Sequence, residues 1–283
     1  MTTFGWTAPT GATRGRARTL SEYEQIALGA DQAGYDALHL PWSPDGDDPL
    51  VLAGILARVT RRIRIVVELH PAAGSPVYIA KLLASLQRAS GGRIDLALRD
   101  SPGIRFARSI GDDAADVAAR TAEFVTVLAG VWNERPVRQS DPAARFDHVG
   151  EHYRVAGGGL TGILSGVRRP TLYRAPGSDA DPALFDVLLA DAGLVADAGH
   201  GGDALIVPIL ARETAAEARS DASARTTDLV GGYDEVIAPL RTLIDGGARE
   251  IVFTASDPLD LFRIAEEVIP ALQPVAAGLE EIR

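Results

Sequence analysis

The chain has 283 residues, of which 46% are hydrophobic and 23% charged, and its formal net charge is −10. This composition is typical of a globular protein, and the acidic balance argues against a nucleic-acid partner, which needs clustered Lys and Arg. The absence of cysteine excludes disulfides, thiolate metal sites and a cysteine nucleophile. The sequence shows neither a signal-peptide pattern nor an apolar run of about 18 residues, so we expect a cytoplasmic protein without a membrane partner.

Strand and helix patterns alternate from the N-terminus, beginning with a strand at residues 3–8. Ser21 and Glu24 are spaced as a capping box, which predicts the start of a helix that Gly34 ends. Further strands are predicted at residues 37–41 and 63–69, with a helix at residues 49–60 between them.

The clearest stretch, residues 69–98, contains a strand end, a loop, a helix and the next strand. Ser75 can cap the helix, Pro76 occupies its first turn and Gly91 follows its end. An apolar stripe at helical spacing marks its buried face: Ile79, Leu82, Leu83 and Leu86.

The second half of the chain keeps this alternation but interrupts it once. After a helix at residues 114–132, residues 135–169 are polar and contain a hairpin pattern that turns at Val149 and Gly150. The barrel pattern resumes with predicted strands at 171–174, 203–210 and 250–254, and with predicted helices from 182, at 233–244 and at 257–272. Whether residues 203–210 are the sixth or the seventh strand stays open.

Together these patterns predict an α/β protein of the TIM (β/α)8 barrel type. We expect one domain over residues 1–283, with residues 135–169 as an inserted segment.

Five blocks, in order, resemble the bacterial luciferase-like monooxygenase superfamily, especially its alkanesulfonate monooxygenase branch. They are AGYD into LHLPWSPDGDDP, SP to GGR in residues 75–93, TAEFVTV with FDHVGEHYRV, RRPTLYRAPGSDA, and LVGGYDEV with GAREIVFTAS and AEEVIPAL. The resemblance implies a flavin-dependent enzyme that oxidises a small organic substrate. It also implies a homodimer, and reduced FMN supplied by a partner flavin reductase; a deazaflavin, or no cofactor, stays open.

Several family positions are substituted in this chain. The first-strand loop has Thr10 where the branch carries histidine, and the second-strand loop has Gly46 where the branch carries cysteine. Ala118 replaces a tyrosine expected near the flavin phosphate. If the run at Ala211 matches the family's seventh strand, the catalytic arginine and histidine positions hold Ile206 and Pro208; otherwise that strand is deleted.

Candidate cofactor-binding residues follow two strands. Gly177 and Ser178 match the family's phosphate-binding turn, and backbone N–H groups at a helix start favour phosphate. Arg99 and Ser101 follow the fourth strand, where Arg99 could bind an anion. The alternatives are a turn that only caps a helix, and a surface pair between Arg99 and Asp100.

Glu68 and His70 are the candidate catalytic residues. Strand alternation places both on one face, and a carboxylate beside an imidazole can make a proton donor near neutral pH. A hydrogen-bonded core pair without chemistry is the alternative. His39, Trp42 and Tyr173 are candidate substrate-pocket residues, although Trp42 could simply close the barrel top.

The acidic loop at residues 45–48 lacks the further oxygen ligands of a cation site, so no metal is expected. Instead, Asp47 or Asp48 should cap the following helix. Three functions therefore stay open: a flavin-dependent monooxygenase-like enzyme, a non-catalytic luciferase-like subunit, and an enzyme that no longer uses flavin.

Overall fold

The computed structural model describes residues 1–10, 18–100, 104–110, 116–132, 146–158, 166–192, 203–222 and 229–273. The strands, in chain order, are β1 (Thr3–Thr7), β2 (Ala37–Leu40), β3 (Arg64–Leu69), β4 (Ile94–Leu98), β5 (Phe146–Val149), β6 (Arg154–Gly158), β7 (Leu172–Arg174), β8 (Val187–Asp191), β9 (Ala204–Arg212), β10 (Leu229–Gly232) and β11 (Glu250–Thr254).

Eight parallel strands close into a barrel, which confirms the predicted TIM-type fold. Their order is β1, β2, β3, β4, β7, β8, β9 and β11; β11 pairs with β1, and the β8–β9 pairing completes the ring. Beyond the barrel, β9 continues and pairs with β10. The strand at residues 203–210 is therefore the seventh barrel strand.

The α-helices are α1 (Leu20–Gln32), α2 (Pro49–Val59), α3 (Pro76–Ser90), α4 (Ile104–Ser109), α5 (Val117–Trp132), α6 (Ala215–Asp221), α7 (Tyr233–Asp245), α8 (Asp260–Arg263) and α9 (Ile269–Leu272). A π-helical turn at Ile264–Val268 joins the last two. No helix within the described ranges is long and apolar enough to cross a membrane.

The helix ends follow local sequence signals, with two corrections. Ser75 is the N-cap residue of α3, but its side chain makes no capping hydrogen bond. The capping box of α1 pairs Thr19 with Glu22 and not Ser21 with Glu24, so the helix starts earlier than predicted. Asp48 caps α2, as one of the two predicted alternatives. Gly91 ends α3 in the left-handed conformation, at φ 71°.

The predicted helix from residue 182 is wrong. Pro182–Leu184 form only a short 3₁₀ turn, and the chain then enters β8. A proline followed by a short apolar run fits both a helix start and a buried strand, and only pairing with β7 and β9 selects the strand.

Apolar residues fill two layers. The larger layer lies between the sheet and the helices, and the smaller one lies inside the barrel, formed by alternate strand residues: Ala37, Val66, Ala97, Tyr173, Leu189, Ala204 and Val252. The inward-facing polar residues therefore lie on either side of this inner apolar layer, at the two ends of the strands. Those at the carboxyl ends face the barrel mouth.

The predicted hairpin forms from β5 and β6 and is fastened to α5 by Glu123. The Glu123 carboxylate accepts from the backbone N–H groups of His152 and Tyr153 and lies 2.9 Å from Nε2 of His148. Tyr153 donates from its hydroxyl to the carbonyl of Pro71, next to the barrel mouth. The hairpin thus packs beside the carboxyl end of β3.

Candidate active site

The carboxyl ends of the strands bring Glu68 and Arg99 together. Arg99 Nε donates to Glu68 Oε1 at 2.6 Å, and Nη2 donates to Oε2 at 3.2 Å. The Trp42 backbone N–H also donates to Oε1, at 3.2 Å. The Glu68 hydrogen bond raises the pKa of Arg99, with Asp191 adding a favourable charge. The Arg99 side chain is still 36% exposed, so a fixed cation faces the mouth.

His70 occupies a different environment from Glu68. It follows β3 as the N-cap of a 3₁₀ turn at Pro71–Ala73, where its Nδ1 accepts from the Ala72 N–H at 3.1 Å. The ring is 1% exposed and lies 6.2 Å from Trp42 between ring centroids. An accepting Nδ1 places the proton of the neutral ring on Nε2.

Trp42 stands between His70 and Phe106. Its ring packs edge-on against Phe106, with 4.8 Å between centroids. Because its backbone also holds Glu68, Trp42 is fixed at both ends. This rigid aromatic group is placed to form a wall of the mouth.

His39 and Tyr173 lie deeper in the barrel, within a buried polar network. His39 Nε2 is 3.3 Å from Glu250 Oε1, and the Tyr173 hydroxyl donates to Glu250 Oε2 at 2.9 Å. Arg64 completes the network through Glu250, Tyr173 and Asp95. Arg64 and Glu250 begin their strands, so the network closes the amino end of the barrel. The proposed pocket role of His39 and Tyr173 stays a prediction.

The electrostatics of this network are set by burial and pairing. Burial opposes ionisation of Glu250, but the hydrogen bond from His39 and the charge of Arg64 hold its pKa below the ordinary value. Burial raises the pKa of Tyr173, so its hydroxyl remains a hydrogen-bond donor. Arg64 is thus paired with buried anions.

The turn at Gly177 and Ser178 lies beside the Asp100 carboxylate. Asp100 Oδ2 accepts from the backbone N–H groups of Asp179 and Ala180, at 2.7 and 3.1 Å. The Ser178 N–H donates to the Ala175 carbonyl. The expected helix start is also replaced by the 3₁₀ turn. A carboxylate therefore engages the two amides that follow Gly177 and Ser178, and the phosphate-binding role of these two residues stays a prediction.

Two of the substituted family positions touch each other. A Cβ on Gly46 would overlap the carbonyl of Thr10, so the loop after β2 needs glycine at this point. The Thr10 hydroxyl donates to the Pro41 carbonyl, and Tyr23 donates to the Thr10 carbonyl at 3.1 Å. Thr10 and Gly46 are thus in packed contact between the two loops.

The seventh strand is present, so its family positions are substituted and not deleted. Ile206 and Pro208 both lie in β9 and pair with Val252 and Thr254 of β11. Neither side chain can donate or accept a proton. Ala118 lies in the first turn of α5, and Ser101 falls outside the described residues.

Sequence reasoning missed the roles of Asp100, Asp191 and the Glu250 network. The available signal was a charged residue inside an otherwise apolar strand, as at Asp95 and Glu250, which requires a buried partner. In the part of the chain that the structure describes, no group of three or more His, Asp or Glu residues could hold a metal ion.

Comparison with known proteins identifies the family of this chain. Residues 2–185 match the family model described as luciferase-like monooxygenase. Similar solved structures include a riboflavin lyase, RcaE, with modified FMN and riboflavin (17% identity, TM-score 0.75, 96% of this chain and 91% of that chain). EDTA monooxygenase from Chelativorans sp. BNC1 is 20% identical, with TM-score 0.75 and coverage of 96% and 93%.

A third structure, coenzyme F420-dependent tetrahydromethanopterin reductase from Methanopyrus kandleri, is 12% identical, with TM-score 0.71 and coverage of 96% and 99%. At these identities the structures establish the fold alone. The family match spans well over half of the chain and confirms the predicted superfamily, without singling out the alkanesulfonate branch. The chain belongs to the luciferase-like monooxygenase family.

Proposed function

We propose that the protein is a flavin-dependent, monooxygenase-like oxidoreductase that acts on a small organic substrate at the barrel mouth. The observation that carries the proposal is the Glu68–Arg99 pair, which fixes a cation at the end of the barrel where this fold places its chemistry. Family membership supports it, as do similar structures with FMN or F420 in their descriptions. In this proposal a partner reductase supplies the reduced flavin.

Each mouth residue has a distinct proposed task. Reduced flavin would supply the electrons for oxygen activation. Arg99, which stays charged, would bind and orient an anionic part of the substrate or stabilise negative charge that develops beside it. Glu68 positions the guanidinium, and Trp42 excludes water from one side.

His70 is proposed as the proton donor. Because its Nδ1 accepts from the Ala72 N–H, the neutral ring carries its proton on Nε2. The sequence-based pairing of His70 with Glu68 is modified in this proposal: Glu68 holds Arg99, and the turn after β3 orients His70.

Anaerobic titration with reduced riboflavin, reduced FMN and reduced F420 tests the proposal. We expect saturable micromolar binding of at least one of them and, for Arg99→Met, binding weakened about tenfold or more per folded molecule. The melting temperature of this variant should also fall, because the buried Glu68 carboxylate loses its cationic partner. Arg88→Met is the matched control, because Arg88 is exposed in the last turn of α3, at the opposite end of the barrel. Absence of binding for all three ligands contradicts the proposal.

A non-catalytic luciferase-like subunit is the second candidate. The observation that favours it is the seventh strand, where Ile206 and Pro208 carry no acid, base or cation. A subunit of this kind would bind none of the three ligands and would fold normally. The same titration therefore separates the two functions.

A further inference from the structure

We infer that the flavin site of this protein selects riboflavin over FMN, because Asp100 occupies the place of a phosphate. The inference rests on the proposed function. It concerns the phosphate-side subsite, formed by Asp100 after β4 and the turn at residues 175–181 after β7.

The first step is that the amides of Ser178, Asp179 and Ala180 already have hydrogen-bond acceptors. Asp100 Oδ2 accepts from the N–H groups of Asp179 and Ala180, and the Ser178 N–H donates to the Ala175 carbonyl. The nearby guanidinium of Arg174 is also engaged, because it donates a hydrogen bond to the Ala180 carbonyl at 3.1 Å. An incoming phosphate would have to displace a carboxylate that already has its hydrogen bonds.

The second step is charge. Asp100 is 5% exposed, so its interaction with a neighbouring anion is weakly screened. Asp179 and Asp181 add carboxylates to the same turn. A phosphate dianion at this position would meet like charges, whereas a ribityl hydroxyl carries none.

The third step is the remaining oxygen of Asp100. Within the described residues, Oδ1 is buried and has no hydrogen-bond partner. A buried acceptor without a donor is costly, and a ligand hydroxyl could supply the missing donor. An ionised phosphate is chiefly an acceptor and would leave Oδ1 unsatisfied.

Paired titrations of riboflavin and FMN test this inference. The wild-type protein should bind riboflavin about tenfold more tightly than FMN, or better. Asp100→Ala removes the carboxylate and frees two amides, so FMN should bind about tenfold more tightly while riboflavin changes by less than about threefold. If the alanine variant does not fold, Asp100→Asn replaces it: the asparagine keeps an acceptor for the amides and removes only the charge, so the affinity for FMN should rise relative to that for riboflavin, and an unchanged ratio overturns the inference.

Asp245→Asn is the matched control, because it makes the same change in net charge at an exposed position in the last turn of α7, at the opposite end of the barrel. It should leave the ratio of the two affinities unchanged. Equal or tighter FMN binding by the wild-type protein, or an equal change for both ligands in Asp100→Ala, overturns the inference while leaving the proposed function intact. Absence of binding for both flavins and for F420 overturns both.

Discussion

At the scale of single residues, the barrel mouth depends on which polar groups are already satisfied. Glu68 accepts three hydrogen bonds, two from Arg99 and one from Trp42, so it is an anchor and not a free base. His70 uses one ring nitrogen to cap a turn. The two residues are only two positions apart in sequence, but these hydrogen bonds give them separate structural roles.

Replacement of His70 by asparagine separates its two roles. The amide oxygen of asparagine can accept from the Ala72 N–H, as Nδ1 does, but the variant lacks the Nε2 proton. We expect a melting temperature close to wild type and turnover reduced about a hundredfold or more. His70→Ala should lose stability as well, by about 1–3 kcal/mol. Full turnover in the asparagine variant would show that His70 only caps the turn.

Gly46 should be intolerant of any side chain. A Cβ there would overlap the Thr10 carbonyl, so Gly46→Ala must separate two packed loops and should cost about 1–3 kcal/mol of unfolding free energy. Gly74→Ala is the control, because the nearest atom to its added Cβ, on Ile79, is at 3.7 Å. Urea denaturation of the two variants measures the difference, and equal stabilities would refute the close approach.

At the scale of secondary-structure elements, the amino end of the barrel is held by charges contributed by different strands. Arg64 of β3, Asp95 of β4 and Glu250 of β11 meet inside the ring. Gly5 of β1 leaves room for them, since a Cβ there would lie 3.4 Å from Glu250 Oε1. The strands are thus joined by side chains as well as by their backbone ladder.

Glu250→Gln should destabilise the barrel by about 1–3 kcal/mol at neutral pH, because Arg64 loses one of its two buried anionic partners and keeps Asp95. The folded-state pKa of Glu250 is lowered, so its stabilising contribution is present above the unfolded pKa of about 4.3 and is lost as the pH falls through the folded value. The stabilities of the wild type and the variant should therefore differ by a constant amount above about pH 5 and converge as the pH falls below about 4. The exposed Glu266→Gln is the control; a pH-independent difference would contradict the assignment.

At the scale of the whole molecule, packing against the barrel explains only part of the apolar stripe that the sequence shows on helices α2 and α3. Leu52, Ile79 and Leu83 are buried against the barrel. On the same helices, Val51 is 62% exposed and Tyr78 is 58% exposed. Burial against the barrel therefore explains the apolar residues on the inner face of these helices, but not those on the outer face.

We predict that this outer face mediates a homodimer. Light scattering at micromolar concentration should give twice the chain mass, and Val51→Glu should give a monomer, because burying an unpaired carboxylate in an interface is costly. Leu20→Glu is the matched control, since Leu20 is also an exposed apolar residue but lies on α1. A monomeric wild-type protein at these concentrations would contradict the prediction.

The sequence alone determined the order of most strands and helices, the position of the hairpin and the family. Apolar periodicity, caps and glycine stops are local signals, so α2, α3 and β11 could be located within a residue or two of their observed ends. Only the tertiary structure decided β8, because a short apolar run after a proline is ambiguous until neighbouring strands pair with it.

The site was also decided by tertiary structure. Glu68 and Arg99 are 31 residues apart, Asp100 and Ala180 are 80 apart, and His39 and Glu250 are 211 apart. Local patterns record which residues share a strand face, but they do not record which strand end lies opposite. Closure of the barrel brings these distant groups together, and their hydrogen bonds then decide which side chains stay available to a ligand.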